Sequence, residues 1–391
     1  MNNKLEYIIQ KIKEVAEQLG IHPSDVNQAM FFKHVTDITP WDLRKIGGLS
    51  GIKKANFPVV SKDLVTIREQ KEVTKYIGEL ERKVSQKDLF KKLALEAVTD
   101  AIKGLDLKPV KINKPSEHKE SKSNMTVELL ISDVHYGKKS KTFNLEVCRR
   151  RLQELTSVVL REIEDHKRIF NVERMILALL GDILESYTMH GIESTLSCEF
   201  GNSKQIQSAI ESLFKDIIYP IAKTGIKIDI PCVTGNHDRT EHSRTYNDPG
   251  LNNLTWVIYN SLKLLCEASS IDNVTFYIPT ESYIVLPIYK NHCLYEHGDN
   301  AKANTKNAFE ALVTARSKQV GKVIDFARFG HYHQNDCYDR GRIIVNESVC
   351  GQDSYANVLG HSSTAGQVMN FYIETDERPT CFYKSFPIYL K

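Results

Sequence analysis

The stretch Val127-Glu-Leu-Leu-Ile-Ser-Asp133-Val-His135 joins an apolar run to two side chains that can bind a metal ion. Four more polar motifs follow apolar runs in the same way: Gly181-Asp182, Gly235-Asn236-His237-Asp238, His297-Gly298-Asp299 and Gly330-His331-Tyr332-His333. Short apolar runs that end in glycine-containing turns are typical of central strands in a layered α/β domain. Because ligands collect at the carboxyl ends of strands in such sheets, we expect the five motifs to converge on one edge.

The side chains of these motifs are suited to a site for two metal ions. They offer two carboxylates, one amide oxygen and at least four imidazoles. Oxygen donors suit manganese, magnesium or iron, and the lack of thiolates among the motifs argues against a structural zinc site. Asp182 could bridge two ions about 3.5–4 Å apart, and a hydroxide held between such ions is suited to in-line attack on phosphorus. We therefore expect two divalent ions, with manganese favoured and magnesium, iron(II) and zinc as alternatives.

In their order along the chain, the motifs resemble the signature of the calcineurin-like metallophosphoesterase superfamily over roughly residues 125–340. The resemblance implies that a first metal ion is held by Asp133, His135, Asp182 and His333. It implies that a second ion is held by Asp182, Asn236, His297 and His331. It also implies that His237 is the general acid that protonates the leaving oxygen or stabilises the transition state. A histidine that titrates near neutral pH is well suited to that role.

The second motif, Gly181-Asp182-Ile-Leu-Glu185-Ser186, distinguishes branches of this superfamily. It lacks the arginine that the protein Ser/Thr phosphatases carry there, so a protein phosphatase is not favoured. Together with the first and third motifs it resembles the DNA-repair exonuclease branch, which includes phage-encoded relatives. Glu185 falls where relatives carry a polar partner for the catalytic histidine. We expect Glu185 to orient His237, and the alternative is a surface glutamate at the start of a helix.

Composition and charge indicate a protein with reduced cysteines, no membrane-spanning segment and a basic N-terminal part. The chain has 391 residues, of which 41% are hydrophobic, and its eight cysteines show no Cys-x-x-Cys spacing. The cysteines are interpreted as reduced packing residues of a cytoplasmic protein, in the host cytoplasm if the chain is phage-encoded. No apolar run of membrane-spanning length occurs, and the first residues lack a secretory signal, so we expect no membrane association. Residues 1–123 hold 23 Lys and Arg against 17 Asp and Glu, whereas the remainder holds 29 against 32.

Three segments are predicted to precede the catalytic domain. Residues 1–58 have the outline of a helix-turn-helix-like, all-α module, which could bind DNA, dock a protein or cap the core. Residues 59–103 are predicted to be a helical connector, either an antiparallel pair or a weak dimer contact. Residues 104–124 are polar and contain two prolines, which predicts a flexible linker. The catalytic domain is then expected over residues 125–391.

The pattern inside residues 125–391 predicts an α/β fold, a sandwich of two β-sheets flanked by helices. Helices are predicted near residues 144–166, 203–223, 251–268 and 302–319. Strands are predicted where apolar runs lead into the five motifs, and short strands near residues 342–346, 368–374 and 380–385.

Basic residues close to the motifs favour a polynucleotide substrate. Lys138 and Lys139 follow the first motif and Arg239 follows the third, so we expect them at the rim of the metal cleft, where they could contact phosphates. The leading hypothesis is a manganese-dependent DNA nuclease, either an exonuclease or an endonuclease, with DNA as its partner. The alternatives are a hydrolase of nucleotides or other small phosphoesters, and a non-enzymatic binding protein that keeps the fold. The sequence leaves open whether the protein is a homo-oligomer.

Overall fold

The structure is a computed structural model that describes the larger part of the chain in two compact units, Met1–Lys91 and Lys92–Lys391. The described residues are 2–21, 26, 31, 33–37, 122–188, 197–241, 248–351, 364–376 and 380–391. Residues 38–121, which include the end of the predicted helical module, the connector 59–103 and the linker up to residue 121, lie outside this set.

The first unit begins with the helix α1, Asn2–Leu19. Its buried side chains gather in a small apolar cluster with residues further along the unit: Ile12, Val15, Ala16, Val26, Phe31 and Val35. The Tyr7 hydroxyl donates to Asp37 Oδ2 at 2.6 Å, which ties the start of the unit to the end of its described part. The helix α1 therefore directs its apolar face inward.

The second unit contains a six-stranded sheet in the order β11-β10-β1-β2-β3-β4. Its strands are β1 Asn124–Ile131, β2 Asn171–Leu180, β3 Lys227–Val233, β4 Val274–Tyr277, β10 Gly366–Ile373 and β11 Phe382–Tyr389. The strands β1 to β4 pair in parallel, while β10 and β11 join antiparallel at one side. The parallel strands are apolar and almost wholly buried, as expected for strands covered on both faces.

A five-stranded mixed sheet has the order β5-β6-β7-β9-β8. Its strands are β5 Tyr283–Ile288, β6 Asn291–Glu296, β7 Phe326–Phe329, β8 Asp336–Tyr338 and β9 Ile343–Val345. The strands β6, β7 and β9 pair in parallel, so the turns after β6 and β7 emerge at the same edge. These two turns carry His297 and the His331–His333 motif.

Helices flank both sheets, and three of them begin at a capping side chain. They are α2 Leu145–Lys167, α3 Asn202–Ser212, α4 Tyr219–Ala222, α5 Leu254–Ala268 and α6 Lys306–Val320. The side chains of Asn144, Asn253 and Thr305 accept from main-chain N–H groups in the first turns of α2, α5 and α6. A π-helical segment, Leu213–Ile218, joins α3 to α4. The helix predicted over residues 203–223 is therefore present, but its hydrogen-bonding pattern changes from α to π in the middle.

The two sheets share one apolar core, which contains a buried ion pair. Leu130, Ile176 and Leu180 of the first sheet lie in the same cluster as Tyr295 and Ile344 of the second. Within this apolar layer the Arg328 guanidinium donates to Glu128 Oε2 at 2.8 Å, and both side chains are fully buried. This pair joins β1 to β7 and so fixes the two sheets against each other. The expected sandwich of two sheets flanked by helices is confirmed.

No helix in the part of the chain that the structure describes is both long and apolar enough to cross a membrane.

Candidate metal centre

The turns that follow the central strands adopt an unusual backbone conformation. Five of the seven expected ligand residues have positive φ: Asp133 (52°), His135 (53°), Asp182 (48°), His331 (71°) and His333 (55°). Such a conformation costs a residue other than glycine on the order of 1–3 kcal/mol, and it persists where the surrounding structure imposes it. Backbone strain concentrated at strand ends indicates a functional site at this edge.

Glycines let the neighbouring backbone approach the ligand carboxylates closely. A Cβ atom on Gly235 would overlap the Asp182 carboxylate, and one on Gly330 would lie 2.6 Å from Asp133 Oδ2. Both positions are therefore closed to larger residues, since the occupied space belongs to a ligand side chain. The main-chain N–H of His331, next to Gly330, donates to Asp133 Oδ2 at 3.0 Å and holds this carboxylate in place.

One half of the centre is built around Asp182 and His297. The His297 Nε2 atom lies 3.2 Å from Asp182 Oδ2 and 3.1 Å from Asn236 Oδ1. Donor atoms of Asp182, His297 and His331 all lie within 4.8 Å of one another. The Nδ1 atom of His297 donates to the Leu180 carbonyl at 2.8 Å, which orients the ring so that Nε2 faces the other donors.

The other half contains Asp133, His135 and His333. The Nε2 atoms of the two histidines are 3.2 Å apart, and His333 Nε2 lies 3.3 Å from Asp133 Oδ1. Asp182 also belongs to a compact group with His135 and His237, so its carboxylate lies between the two halves. The structure thus brings all seven side chains expected to bind metal to one rim, from turns after strands of both sheets.

The buried carboxylates of this cluster carry negative charge that a bound cation could neutralise. Burial lowers the pKa of His297, but the carboxylates of Asp182, Asp133 and Asp299 together outweigh burial and raise the pKa to about 10. Burial raises the pKa of Asp133, but His333 and His297 together outweigh burial and lower the pKa to about 2. Protons on His297 and His333, whose pKa values are raised, therefore place positive charge beside the buried carboxylates, whereas burial lowers the pKa values of His135 and His331. A divalent ion can replace those protons, and buried oxygen and imidazole donors fit such an ion.

Glu185 contacts the centre in a different way from the one expected. Its carbonyl oxygen, rather than its carboxylate, accepts from His237 Nδ1 at 2.9 Å. The carboxylate Oε2 lies 2.8 Å from His135 Nδ1 and 3.9 Å from His237 Nδ1. The reason is local: the Glu185 N–H donates to the Tyr136 carbonyl, so this segment runs beside the first motif and the side chain lies under His135. Glu185 is only 5% exposed, so the alternative interpretation as a surface glutamate is wrong.

His237 lies at the accessible side of the cluster. Its main-chain N–H donates to Asp182 Oδ1 at 2.8 Å, and its ring meets the His135 ring edge-on with centroids 4.9 Å apart. Because the Glu185 carbonyl can only accept, Nδ1 of His237 carries a proton, and a second proton on Nε2 would be the transferable one.

Two of the three expected substrate-contacting cations lie beside acidic groups. Lys138 Nζ is 3.7 Å from Glu185 Oε2, and Arg239 Nη2 is 3.5 Å from Asp299 Oδ2. Lys139 is exposed. Burial raises the pKa of Glu185, but Lys138 and then His135 outweigh it and hold the pKa well below its usual range. Glu185 is therefore a carboxylate that offsets the charge of Lys138.

Sequence reasoning assigned no role to two residues that the structure places at the centre. Asp238 is fully buried and accepts from the N–H groups of Leu184 at 3.1 Å and Gly235 at 2.8 Å, which ties the turns of the second and third motifs together. Its position inside a motif was a signal for such a role. Cys350 lies with His135 and His333 in a group of donor atoms within 4.8 Å of one another. No spacing in the sequence indicated that contact.

Comparison with known proteins gives distant structural likenesses. An archaeal phosphodiesterase structure has a TM-score of 0.33 at 11% identity, covering 68% of this chain and 99% of that chain. Vacuolar protein sorting 29 from Cryptosporidium parvum has a TM-score of 0.31 at 13% identity, covering 68% and 96%. A predicted phosphoesterase from Streptococcus pneumoniae has a TM-score of 0.28 at 11% identity, covering 68% and 98%. All three scores are below 0.5, so these likenesses establish neither the family nor the activity. No protein-family model and no curated protein matches the chain.

Proposed function

We propose that this protein is a two-metal phosphodiesterase of the calcineurin-like type, and that it acts as a manganese-dependent DNA nuclease. The observation that carries the proposal is the position of Asp182. Its carboxylate belongs both to the group with His297 and His331 and to the group with His135 and His237. A single carboxylate shared by two sets of donors is the arrangement that two neighbouring ions require.

The chain's own residues would hold and orient the ions. Divalent ions bound here would polarise a phosphoryl oxygen and lower the pKa of water near phosphorus. The Leu180 carbonyl fixes the ring of His297, and the Glu185 carboxylate lies against Nδ1 of His135. Such outer contacts set the tautomer of a ligand histidine and raise its basicity.

His237 is the proposed general acid. It adjoins the ligand Asn236, and its Nδ1 proton is held by the Glu185 carbonyl at 2.9 Å. A doubly protonated ring could therefore give its Nε2 proton to the leaving oxygen of the phosphodiester without losing its orientation.

The proposal of DNA as the substrate rests on the distribution of positive charge. Residues 1–123 carry an excess of Lys and Arg, which would attract a phosphate backbone to the front of the chain. Lys138, Lys139 and Arg239 follow the first and third motifs and would contact phosphates at the rim. In this proposal, residues 1–58 form the module that engages DNA and residues 125–391 carry out the hydrolysis.

A specific observation supports a second candidate, a hydrolase of small phosphoesters. The ion pairs of Lys138 with Glu185 and of Arg239 with Asp299 offset positive charge at the rim. A long anionic backbone gains less binding free energy from such a rim than from unpaired cations, whereas a small phosphoester needs fewer contacts to bind.

The deciding experiment compares labelled DNA with bis-p-nitrophenyl phosphate as substrates for the purified protein, with added manganese and with a chelator. Linear, nicked and single-stranded DNA are each offered, and Asp182→Asn is the inactive control. Manganese-dependent cleavage of DNA is expected. Cleavage of the small diester while all three DNA substrates stay intact would reject the nuclease and favour the second candidate. No hydrolysis of either substrate would reject both.

A further inference from the structure

The segment after β9 places a thiol beside the metal-ligand cluster. Cys350 is 2% exposed, and its Sγ lies within 4.8 Å of a ring nitrogen of His135 and of His333. The two histidine Nε2 atoms are themselves 3.2 Å apart. Two nitrogen ligands about 2.0–2.1 Å from one ion and at right angles to each other stand roughly 3 Å apart. The pair of histidines thus has the spacing of two ligands on one ion, with the thiol beside them.

The main chain around Cys350 is fixed from two sides. The Val349 N–H donates to the carbonyl of Asp133 at 3.1 Å, which links this segment to the first motif. The Arg151 guanidinium, from α2, donates to the carbonyls of Val349 at 2.8 Å and Cys350 at 3.0 Å. The position of the thiol is therefore set by the same framework that sets Asp133.

Apart from a side-chain hydrogen bond with His333, the thiol makes only weak contacts. Its Sγ lies 3.6 Å from Ser348 Oγ and 3.6 Å from the Gly351 carbonyl. A thiol is a weak hydrogen-bond donor, so these contacts offer little resistance to a metal that binds sulfur. The sulfur is instead a soft donor at the edge of a set of oxygen and nitrogen donors.

We propose that Cys350 is a sulfur ligand for the ion held by His135 and His333. The thiol would release its proton to solvent as the metal–sulfur bond forms. Because soft ligands favour zinc, cobalt and iron(II) over manganese and magnesium, this position would select a thiophilic ion. The position built from Asp182, Asn236, His297 and His331 has only oxygen and nitrogen donors and would accept manganese. The centre would then hold two different metals, which refines the proposed function and rests on its metal centre.

The test is a cobalt titration of the full chain, followed by absorption spectroscopy. Cobalt bound by oxygen and nitrogen donors gives visible ligand-field bands, and a thiolate ligand adds a strong charge-transfer band in the near ultraviolet. The wild-type protein should show both, and Cys350→Ser should keep the visible bands and lose the near-ultraviolet band. Cys381→Ser is the matched control, because Cys381 is also 2% exposed but contacts the Ile288 carbonyl in the apolar core.

A competition titration gives a second measurement. Cys350→Ser should lower the affinity for zinc by about tenfold or more, since even outer contacts of a metal ligand are worth 10–100-fold. The affinity for manganese should stay nearly unchanged, as it should for both metals in Cys381→Ser.

The outcomes separate this inference from the function on which it rests. Visible bands without a charge-transfer band in the wild-type protein would overturn the sulfur ligand and leave the metal centre intact. Absence of both kinds of band would overturn the metal centre and the sulfur ligand together. A charge-transfer band that persists in Cys350→Ser would assign it to another cysteine and reject the inference.

Discussion

Replacing Arg328 by methionine should lower the free energy of unfolding by about 3–5 kcal/mol, because it leaves a buried carboxylate without its counter-charge. Arg328 and Glu128 are both fully buried between the sheets, with Nε 2.8 Å from Oε2. Methionine fills a similar volume, so the loss is chiefly electrostatic rather than a cavity.

The remaining partners of Glu128 are neutral and can offset only part of this loss. They are the hydroxyls of Tyr295 at 2.6 Å and Tyr372 at 2.7 Å, the amide of Asn370 at 2.8 Å and, more distantly, the thiol of Cys293 at 3.8 Å. Burial raises the pKa of Glu128, but the charge and hydrogen bond of Arg328, together with the hydroxyls of Tyr295 and Tyr372, outweigh burial and lower it. Without Arg328 that pKa should rise, so the variant should recover stability as the pH falls and Glu128 takes up a proton.

The assay is denaturant unfolding of the wild-type protein, Arg328→Met, Glu128→Leu and the double variant. The double variant should lose clearly less stability than the sum of the two single variants, because each single change leaves the other charged group buried without a partner. Lys290→Met is the control, since it removes an exposed ion pair with Asp376 and should cost about 1 kcal/mol or less. A loss below about 1 kcal/mol for Arg328→Met, or strictly additive losses, would refute the electrostatic account.

Four further predictions concern the metal centre and the front of the chain. His237→Ala should keep both metals yet lower turnover by about 10²–10⁴-fold, as measured by metal analysis and diester hydrolysis, and loss of metal would show that it is a ligand. Glu185→Gln should weaken metal binding by about 10–100-fold through loss of the carboxylate beside His135, whereas an unchanged calorimetric titration would deny it that role. Chelated protein should lose thermal stability as the pH rises from 6.5 towards 10, because folded His297, with its pKa raised to about 10, keeps a proton that the unfolded chain releases. Metal-loaded protein should show a flatter dependence of melting temperature on pH, and equal slopes for the two forms would contradict this account. Deleting residues 1–103 should weaken DNA binding in a shift assay while sparing hydrolysis of the small diester, and undiminished DNA affinity would exclude a role for this segment.

The strands that position the centre could be predicted because their signal is local. Apolar runs such as 175–180 and 226–233 are long enough to indicate buried strands, and both lie in parallel strands of the first sheet. The helices near residues 144–166 and 302–319 could also be predicted, because each follows a strand or a motif loop, as in a sandwich flanked by helices. Convergence of the motifs then followed from the rule for strand ends.

Two of the edge strands, β4 and β8, could not be predicted in the same way. The strands β4 and β8 are short, only four and three residues, and their side chains are half-buried or exposed, so neither carries an apolar run. Such strands form because a neighbour offers hydrogen-bonding partners, and that neighbour is distant in the sequence.

Contacts between turns also could not be predicted from the sequence. The direction of the Glu185 side chain depends on how its segment pairs with Tyr136. The approach of Cys350 to His135 and His333 depends on the path of the segment after β9, which Arg151 and Asp133 fix. Neither is encoded by spacing, because both arise from main-chain hydrogen bonds between segments far apart in the chain.

At the left-handed turns of the rim, the same residues provide metal donors and lower the stability of the fold. Asp133, His135, Asp182, His331 and His333 hold a conformation that glycine adopts without penalty. Glycine at any one of them should therefore relieve local strain while abolishing a donor, a trade common where activity demands an unfavourable backbone. A descendant of this chain freed from selection for metal binding would be expected to change at these five residues first, and to keep the buried strands that carry them.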